Sequence, residues 1–208
     1  MRTSADSPQQ GLASPTPPRL DLGMPGKLVY FNTASLDGYI AGPDGRWEWG
    51  VPDATVHTFV NQLFASTKTQ LLGRKTYEVM TYWDEQPLDE MEAAEREFAD
   101  QWAHTDKIVY SRTLPAVTAK RTEVRAEFDA DEVRALKESV THPLAIGGGE
   151  LASVAARAGV LDEVHVIVAP AVVGGGTRFL SEGLRLDLEL FDERRFGNGS
   201  VYLAYRVR

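Results

Sequence analysis

Short apolar segments alternate with amphipathic segments along most of this chain, and this alternation restricts the fold more than any other feature of the sequence. The apolar segments are rich in β-branched, leucine or aromatic residues, as strands are, and they cover residues 27–33, 69–72, 107–110, 144–146 and 163–168. Between them, apolar residues recur at helical spacing. Strands separated by helices need crossover connections, so the sequence predicts a mainly parallel sheet with helices on both faces.

Four helices are predicted from apolar residues three and four positions apart. Asp53 is a candidate N-cap for the first helix, and Asp129 or Asp131 for the third, because a carboxylate accepts hydrogen bonds from first-turn amides. The residues expected on the buried faces are Val56, Phe59, Val60, Leu63 and Phe64; Met91, Ala94, Phe98 and Trp102; Val133, Leu136 and Val140; and Leu151, Val154 and Ala155.

The last part of the chain has a different pattern. Apolar and polar residues alternate over residues 186–196 and 201–207, and a Gly-Asn-Gly turn at residues 197–199 lies between the two runs. Such a turn predicts a β-hairpin, here as an antiparallel edge of the sheet. The expected fold is therefore an α/β protein, a three-layer α/β/α sandwich with a mixed, mainly parallel sheet and a C-terminal antiparallel hairpin.

Residues 1–26 differ in composition from the rest, because prolines at positions 15, 17, 18 and 25 are interspersed with Ser, Gly and Gln. Such a segment has too little apolar surface to offset the entropy of ordering it. We therefore expect a disordered N-terminal tail over residues 1–26 and one folded domain over residues 27–208.

The composition excludes several functions. The 208 residues carry 22 Lys plus Arg against 30 Asp plus Glu, a net charge of −8 that disfavours a nucleic-acid partner. The chain has no cysteine and its four histidines are scattered, so we expect no transition-metal site. No apolar stretch approaches the ~18 residues of a membrane span, and the first residues do not resemble a secretory signal. These features predict a cytoplasmic protein without a membrane partner.

The segment LAIGGGEL at residues 144–151 joins an apolar strand to a helix through Gly147, Gly148 and Gly149. Amides at the start of a helix have no intrahelical partner, and aligned peptide dipoles add partial positive charge there, so this junction favours a phosphate. Glycines also let a pyrophosphate approach the backbone without a Cβ in the way. A tight turn that needs positive φ explains the same glycines, and the sequence alone leaves both interpretations open.

Two other predicted strands also end in polar or cationic residues. Residues 73–76 (Gly-Arg-Lys-Thr) follow the second strand, and residues 111–112 (Ser-Arg) follow the third. Taken alone, the Arg-Lys pair is more simply explained as a solvated pair. Ligands of open α/β sheets bind beyond the carboxyl ends of the strands, however. Three such ends together predict a site for a ligand with several phosphates.

Five segments, in this order, resemble the dihydrofolate reductase superfamily. They are SLDGYIAGPDG at residues 35–45, LLGRKTYE at 71–78, KIVYSRTL at 107–114, LAIGGGEL at 144–151 and LDEVHVIVAPAVVGGGTRFL at 161–180. Within that superfamily the chain looks like the branch typified by the C-terminal reductase domain of the bifunctional riboflavin-biosynthesis deaminase-reductase, the RibD C-terminal domain. The resemblance extends over residues 27–207.

This resemblance implies NADP(H) as the cofactor, with NADPH as the hydride donor. It assigns the pyrophosphate to the glycine turn, and the pyrophosphate and the adenosine 2′-phosphate side to residues 73–76. It assigns the 2′-phosphate and adenine edge to residues 111–112, and the nicotinamide to the surroundings of two residues that flank the first loop. The implied cofactor-binding residues are Ala34, Ile40, Gly73, Arg74, Lys75, Thr76, Ser111, Arg112, Gly147, Gly148, Gly149, Glu150 and Leu151. The basic residues favour NADP over NAD, because a charge-assisted pair with the extra phosphate is strong.

On the substrate side, dihydrofolate reductases carry an acidic residue on the helix after the first loop. Ungapped alignment places His57 near that position, and the nearest acid is Asp53, which is also explained as a helix cap. This departure argues against folate reduction. Asp37 is a further candidate, although it is equally explained as a turn residue before Gly38.

Three tryptophans are candidates for the wall of a flat, aromatic substrate pocket. Trp47 and Trp49 lie in the first loop, and Trp83 follows the helix that begins near Arg74. The alternative is that these side chains cover the core. His165 lies inside an apolar strand and is expected to be a core or interface residue. No side chain is predicted as the catalytic acid.

The combined features predict an NADPH-dependent reductase of a small planar heterocyclic or carbonyl substrate. One alternative is a dihydrofolate reductase or a riboflavin-pathway reductase of a 5-amino-6-ribosylaminouracil phosphate-type substrate. Another is a non-catalytic NADP-binding sensor or interaction module. The resemblance also implies a homodimer, since domains of this branch commonly pair and a C-terminal edge strand needs covering.

Overall fold

The computed structural model describes residues 26–87 and 89–208. The tail predicted for residues 1–26 therefore lies outside the described residues, except for Gly26, whose amide donates to the carbonyls of Lys137 (2.8 Å) and Val140 (3.0 Å). The helices of the described part are α1 (Ala54–Phe64), α2 (Arg74–Met80), α3 (Tyr82–Glu85), α4 (Ala93–His104), α5 (Ala130–Ser139) and α6 (Gly149–Arg157), with a 3-10 turn at Glu48–Gly50. The strands are β1 (Leu28–Ser35), β2 (Tyr39–Ala41), β3 (Thr69–Gly73), β4 (Asp106–Tyr110), β5 (Thr122–Arg125), β6 (Leu144–Gly147), β7 (Glu163–Ala169), β8 (Thr177–Arg178), β9 (Leu188–Arg195) and β10 (Val201–Val207).

Eight of these strands form one sheet in the order β5-β4-β3-β6-β1-β7-β10-β9. The pairs from β5 to β7 are parallel, whereas β10 runs antiparallel to both β7 and β9. The predicted mainly parallel sheet and its C-terminal antiparallel hairpin are therefore confirmed. β2 and β8 form a separate two-stranded sheet beside the large one.

Helices cover both faces of the sheet, as the alternation predicts, although Val154 of α6, expected on a buried face, is 40% exposed. On one face, Val133 of α5 and Ala152 of α6 pack on Tyr30 and Ile146. On the other face, α1 packs on Ile167 and Tyr202, while Trp102 of α4 packs beside Leu72 and Val109 in a neighbouring cluster. The two layers of helices and the sheet between them make the predicted three-layer sandwich.

The predicted caps are confirmed at two helices. An oxygen of Asp53 accepts a hydrogen bond from the Val56 amide at 2.9 Å, which caps α1. Of the two candidates for α5, Asp129 and Asp131, the N-cap is Asp129, whose carboxylate accepts hydrogen bonds from the amides of Asp131 and Glu132. These carboxylates meet first-turn amides that lack intrahelical partners.

His165 is a core residue, as expected. Its side chain is 1% exposed, with Nε2 3.1 Å from a Glu163 oxygen and Nδ1 2.9 Å from the Tyr202 hydroxyl. Lys27 pairs with the same Glu163 at 2.8 Å. Burial raises the pKa of Glu163, but the hydrogen bonds and charges of His165 and Lys27 outweigh it and leave that pKa below its usual value. This network satisfies polar groups that would otherwise be costly inside the sheet.

Candidate functional site

The three predicted turns lie at the same edge of the sheet. β4, β3 and β6 are adjacent and parallel, with Gly73 opposite Tyr110 and Leu72 opposite Gly147. Arg74 directly follows β3, Ser111 follows β4 and Gly148 follows β6. Because the last residues of these parallel strands pair with one another, the cations and the glycine turn lie together at the carboxyl edge of the sheet.

The glycine turn, residues 147–149, is shaped by close backbone packing. Gly148 has φ +100° and ψ 123°, a conformation that side chains rarely adopt. A Cβ built on Gly147 would lie 2.8 Å from Leu72 Cδ2 and 3.0 Å from Thr76 Cγ2. One on Gly149 would lie 2.6 Å from the Arg178 carbonyl oxygen. The turn therefore needs glycine for its own geometry, which is one of the two interpretations that the sequence left open.

The other interpretation, a phosphate site, stays a prediction; α6 begins at this turn without a side-chain cap. Gly148 is its N-cap residue and has no side chain that could accept from the first-turn amides. Helix N-terminal amides without a capping acceptor are suited to an anion. Glu150 is exposed and Leu151 is half-buried in this first turn. The turn thus combines a tight conformation with donors suited to a phosphate.

The cations at the edge form only weak contacts with their neighbours. Arg74 lies 3.4 Å from Glu78, and Arg112 lies 3.7 Å from Glu127; all four side chains are largely exposed. Exposed ion pairs contribute little to stability, so these guanidinium groups can exchange their partners for a ligand. Lys75 is exposed beside Arg74. Together they supply positive charge to one edge of an acidic protein.

Ser111 and Thr76 contribute hydroxyl groups to the same edge. The Ser111 oxygen accepts from the amides of Thr113 (3.1 Å) and Leu114 (2.9 Å), which fixes the turn after β4. Thr76 is half-buried, with its side chain against Gly147 and Gly148. Both hydroxyl groups can still donate their own protons to an acceptor.

Of the two residues assigned to the nicotinamide, Ala34 lies at the end of the neighbouring strand and Ile40 lies in the small sheet beside it. β1 is adjacent to β6, and Ala34, which is buried, is the penultimate residue of β1. Ile40 is half-buried in β2, just after the first loop turns at Gly38. Apart from Ile40, the implied cofactor residues therefore lie at or directly beyond the carboxyl ends of four adjacent strands, β4, β3, β6 and β1.

On the substrate side, the structure brings His57 and Trp83 together. Their rings are 5.8 Å apart, and the Phe98 ring lies 5.7 Å from His57 and 4.9 Å from Trp83. We call these three side chains the aromatic compartment. Burial lowers the pKa of His57, although the charges of Glu95 and Glu97 oppose this effect. Phe98 was expected only as a core residue, because ring-to-ring contact between separate helices leaves no trace in the periodicity of either.

The other substrate candidates have different surroundings. Asp53 caps α1, and Trp47 is 45% exposed in the loop before it. Both oxygens of Asp37 accept hydrogen bonds from the chain, and the bond from Ser35, followed by the Gly174 and Val173 amides, lowers the pKa of Asp37.

Trp49 has a buried indole nitrogen for which the described residues supply no hydrogen-bond acceptor. The 3-10 turn that holds Trp49 packs on β1, where a Cβ on Gly50 would lie 3.3 Å from Thr33 Cγ2. Buried indole groups usually find a partner. The 3-10 turn that carries this donor therefore lies beside Thr33, close to the carboxyl end of β1.

Within residues 26–87 and 89–208, no helix combines the length and apolarity needed to cross a membrane. The same residues contain no group of three or more His, Cys, Asp or Glu side chains arranged to hold a metal ion.

The strand order, the antiparallel hairpin and the uncapped turn before α6 define a dihydrofolate reductase-like fold. The chain belongs to the RibD C-terminal domain family, whose model matches residues 26–202. The family resemblance of the sequence is thereby confirmed.

Three similar proteins illustrate this relationship. The uncharacterized protein YyaP of Bacillus subtilis strain 168 is 28% identical over 184 residues, which cover 86% of this chain and 94% of YyaP. A crystal structure described as a riboflavin biosynthesis protein, from Shewanella sp. PV-4, has a TM-score of 0.67 and 19% identity, covering 88% of this chain and 99% of that one. Dihydrofolate reductase from Enterococcus faecalis, complexed with NADP(H), has a TM-score of 0.59 and 19% identity, with 89% and 98% coverage.

Proposed function

We propose that this protein is an NADPH-dependent reductase of a small planar heterocyclic or carbonyl compound. The observation that carries the proposal is the meeting of the glycine turn, Arg74 and Arg112 at one carboxyl edge of a parallel sheet. The family and the NADP(H) complex of the similar dihydrofolate reductase support it. A phosphorylated dinucleotide matches this edge because it needs both backbone donors and exposed cations.

The residues of the edge fit such a cofactor. A Cβ at residue 148 would fill the space beside the Thr76 hydroxyl, and the first amides of α6 have no side-chain acceptor. The glycine turn, Glu150 and Leu151 would hold the pyrophosphate, and residues 73–76 would hold the pyrophosphate and the adenosine 2′-phosphate side. Ser111 and Arg112 would bind the 2′-phosphate and the adenine edge, and Ala34 and Ile40 would lie beside the nicotinamide. NADPH supplies the hydride when bound.

The chain itself would position the substrate and exclude water. The partly buried Trp83 and Phe98 rings of the aromatic compartment, which pack on the core, would contact a planar molecule. The Trp49 indole N–H, which has no acceptor among the described residues, would donate to it. Because its pKa is lowered, His57 is largely neutral at pH 7 and can donate or accept one hydrogen bond. Orientation of the substrate then supplies most of the rate, and the proton comes from water or a nearby acid.

The cofactor part of the proposal is tested by titration with NADPH, followed by quenching of tryptophan fluorescence. In the double variant Arg74→Ala/Arg112→Ala we expect the affinity for NADPH to fall about 100-fold, since each lost bond to a charged group is worth about 1.5 kcal/mol, or tenfold. The affinity for NADH should fall less, because NADH lacks the 2′-phosphate. Unchanged NADPH affinity would exclude this placement.

A matched control removes two other exposed arginines. Arg134 pairs with Asp131 on α5, and Arg208 pairs with Glu189 at 3.1 Å. The variant Arg134→Ala/Arg208→Ala changes the net charge by the same amount. It should keep the NADPH affinity within about twofold, because Arg134 donates to the Ala158 carbonyl past the far end of α6 and Arg208 follows β10, whose end pairs with the amino end of β7.

Turnover separates a reductase from a binding module. We expect NADPH oxidation with at least one member of a panel of pterins, pyrimidines, flavins and quinones. Binding without oxidation across that panel would favour a sensor or interaction module instead. A phosphorylated ribosylaminouracil in the panel tests the riboflavin-pathway alternative directly.

We also propose a twofold homodimer. β9 is the outermost strand of the large sheet, and its Leu188 (40% exposed) and Leu190 (46% exposed) present apolar surface to solvent. An exposed edge strand with apolar side chains favours association with another chain.

A further inference from the structure

The segment that follows β7 connects the first loop to the glycine turn. We call residues 171–181 the strap; they contain β8 and follow the carboxyl end of β7. At its start, the Leu36 amide donates to the Ala171 carbonyl at 2.7 Å. Further along, β8 pairs with β2, and the Arg178 guanidinium lies over the Tyr39 ring at 5.1 Å. The strap therefore runs beside the first loop for much of its length.

Asp37 makes the most concentrated contact between the first loop and the strap. Its Oδ1 accepts from the Val173 amide at 3.1 Å and from the Ser35 hydroxyl at 2.7 Å. Its Oδ2 accepts from the Gly174 amide at 2.8 Å. Gly174 has φ +75°, so the strap bends there in a conformation suited to glycine. Three donors converge on one carboxylate, which is more than a local turn with Gly38 requires.

The other end of the strap packs against the start of α6. The Arg178 and Phe179 carbonyl oxygens lie so close to Gly149 that a Cβ there would collide with both. The Tyr30 hydroxyl donates to the Phe179 carbonyl at 2.7 Å, and the Ser181 amide donates to the Ser153 hydroxyl at 2.9 Å. The Phe179 amide also donates to the Gly38 carbonyl at 2.9 Å, so the strap is fixed to the first loop at both ends and to the glycine turn at its far end.

We infer that Asp37 is a positioning residue for the cofactor site, because it fixes the strap whose far end supports Gly149 and the first turn of α6. This inference rests on the proposed function, since it concerns binding of NADPH at that turn. Asp37 acts through the strap, so its role differs from the direct substrate contact considered from the sequence.

The carboxylate is specifically required for this role. Its two oxygens act only as acceptors, and all three of its partners are donors. In Asp37→Asn, one of these oxygens becomes an NH₂ group that faces a donor, so at least one strap contact is lost. The side-chain volume is almost unchanged, which limits any effect on packing.

A control variant lies in the same loop. The Asp44 carboxylate accepts from the Arg46 amide at 3.0 Å, a contact within the loop, and Asp44 is exposed. Asp44→Asn removes the same charge without affecting the strap. A second test variant, for use if Asp37→Asn does not fold, is Ser35→Ala, which removes one of the three donors to Asp37 and also the acceptor of the Tyr39 amide.

The experiment combines amide hydrogen exchange without cofactor and NADPH titration of the same variants. In Asp37→Asn we expect strap amides to exchange at least about tenfold faster, because they open locally, while amides of β1 and β7 keep their protection. We expect the NADPH affinity to fall about tenfold, the effect of one lost charged hydrogen bond. Ser35→Ala should shift both quantities in the same direction by less, and Asp44→Asn should shift neither.

Two results would overturn the inference. Unchanged strap exchange in both Asp37→Asn and Ser35→Ala would show that Asp37 does not fix the strap. Faster exchange with wild-type NADPH affinity would show that the strap does not support the cofactor site. Failure of the proposed function has a different signature: the wild-type protein itself would not bind NADPH, and the positioning role would be rejected with it.

Discussion

The side chain of Thr76 packs on the backbone of Gly148, so closely that a Cβ at Gly148 would lie 2.9 Å from the Thr76 hydroxyl oxygen. This contact joins the first turn of α2, which follows β3, to the glycine turn, which follows β6. The start of α2 and the glycine turn therefore form one continuous surface. A substitution at Gly148 alone should disturb both parts of it.

Gly148→Ala should therefore affect both stability and cofactor binding. The φ of +100° costs a side chain about 1–3 kcal/mol, and the contact with Thr76 adds to this. We expect a lower melting temperature by thermal unfolding and a loss of NADPH affinity of tenfold or more. Gly159→Ala is the control: Gly159 has φ +68° with no heavy atom near its Cβ position, so only the strain remains and NADPH affinity should be unchanged.

His57 should make the stability depend on pH. Its pKa is lowered in the folded protein, so its stabilising effect is fully present above the unfolded-state value of 6.5 and is lost as the pH falls through the folded value. In urea unfolding at pH 8 and pH 5, His57→Gln should lose less stability on acidification than the wild type. His142, whose pKa is also lowered, is present in both proteins and cancels. Equal losses in both would contradict the prediction.

The Lys107 side chain should stabilise the folded protein at the junction between α4 and β4. Its ammonium group is buried and donates to the carbonyls of Trp102 (2.5 Å), Thr105 (2.9 Å) and Lys120 (3.2 Å). Burial lowers the pKa of Lys107 to about 8, so the charged form still dominates at pH 7. Lys107→Met leaves these carbonyls without their donor and should reduce the free energy of unfolding by about 2–3 kcal/mol in urea titrations. NADPH affinity should remain unchanged, because Lys107 is at the amino end of its strand.

The proposed dimer depends on the apolar edge at β9. Leu190→Asp places a charge on that surface and should give a monomer in light scattering after size exclusion. Val117→Asp is the control, because Val117 is similarly exposed (44%) in a loop outside the sheet. A wild-type monomer, or a dimer that persists in Leu190→Asp, would exclude this interface.

Much of the fold could be predicted because its long elements have clear periods. α1 combines a continuous apolar face with the Asp53 cap, and both signals are local. β5 gave no such signal, since it has four residues and its single large apolar side chain, Val124, is 42% exposed at the sheet edge. β2 and β8 are equally short, and each is a strand only because it pairs with the other.

The candidate site also has one part that the sequence could predict and another that it could not. The meeting of three turns followed from a topological rule, since parallel strands end at one edge. The contact between Asp37 and Gly174 did not, because these residues are 137 positions apart and nothing local relates a turn aspartate to a glycine-rich loop. Similarly, the ring contact of His57 with Trp83 depends on how α1 and α3 pack, which neither helix encodes alone.

The collision that any Cβ at Gly149 would have with the Arg178 and Phe179 carbonyls also sets a limit on insertions and deletions. One residue more or fewer between Gly176 and Phe179 would shift those carbonyls along α6 and break the register of β8 with β2. The solvent-facing hairpin turn at residues 197–199 has no such limit, so length variation among related chains should accumulate there and be absent from the segment after β7.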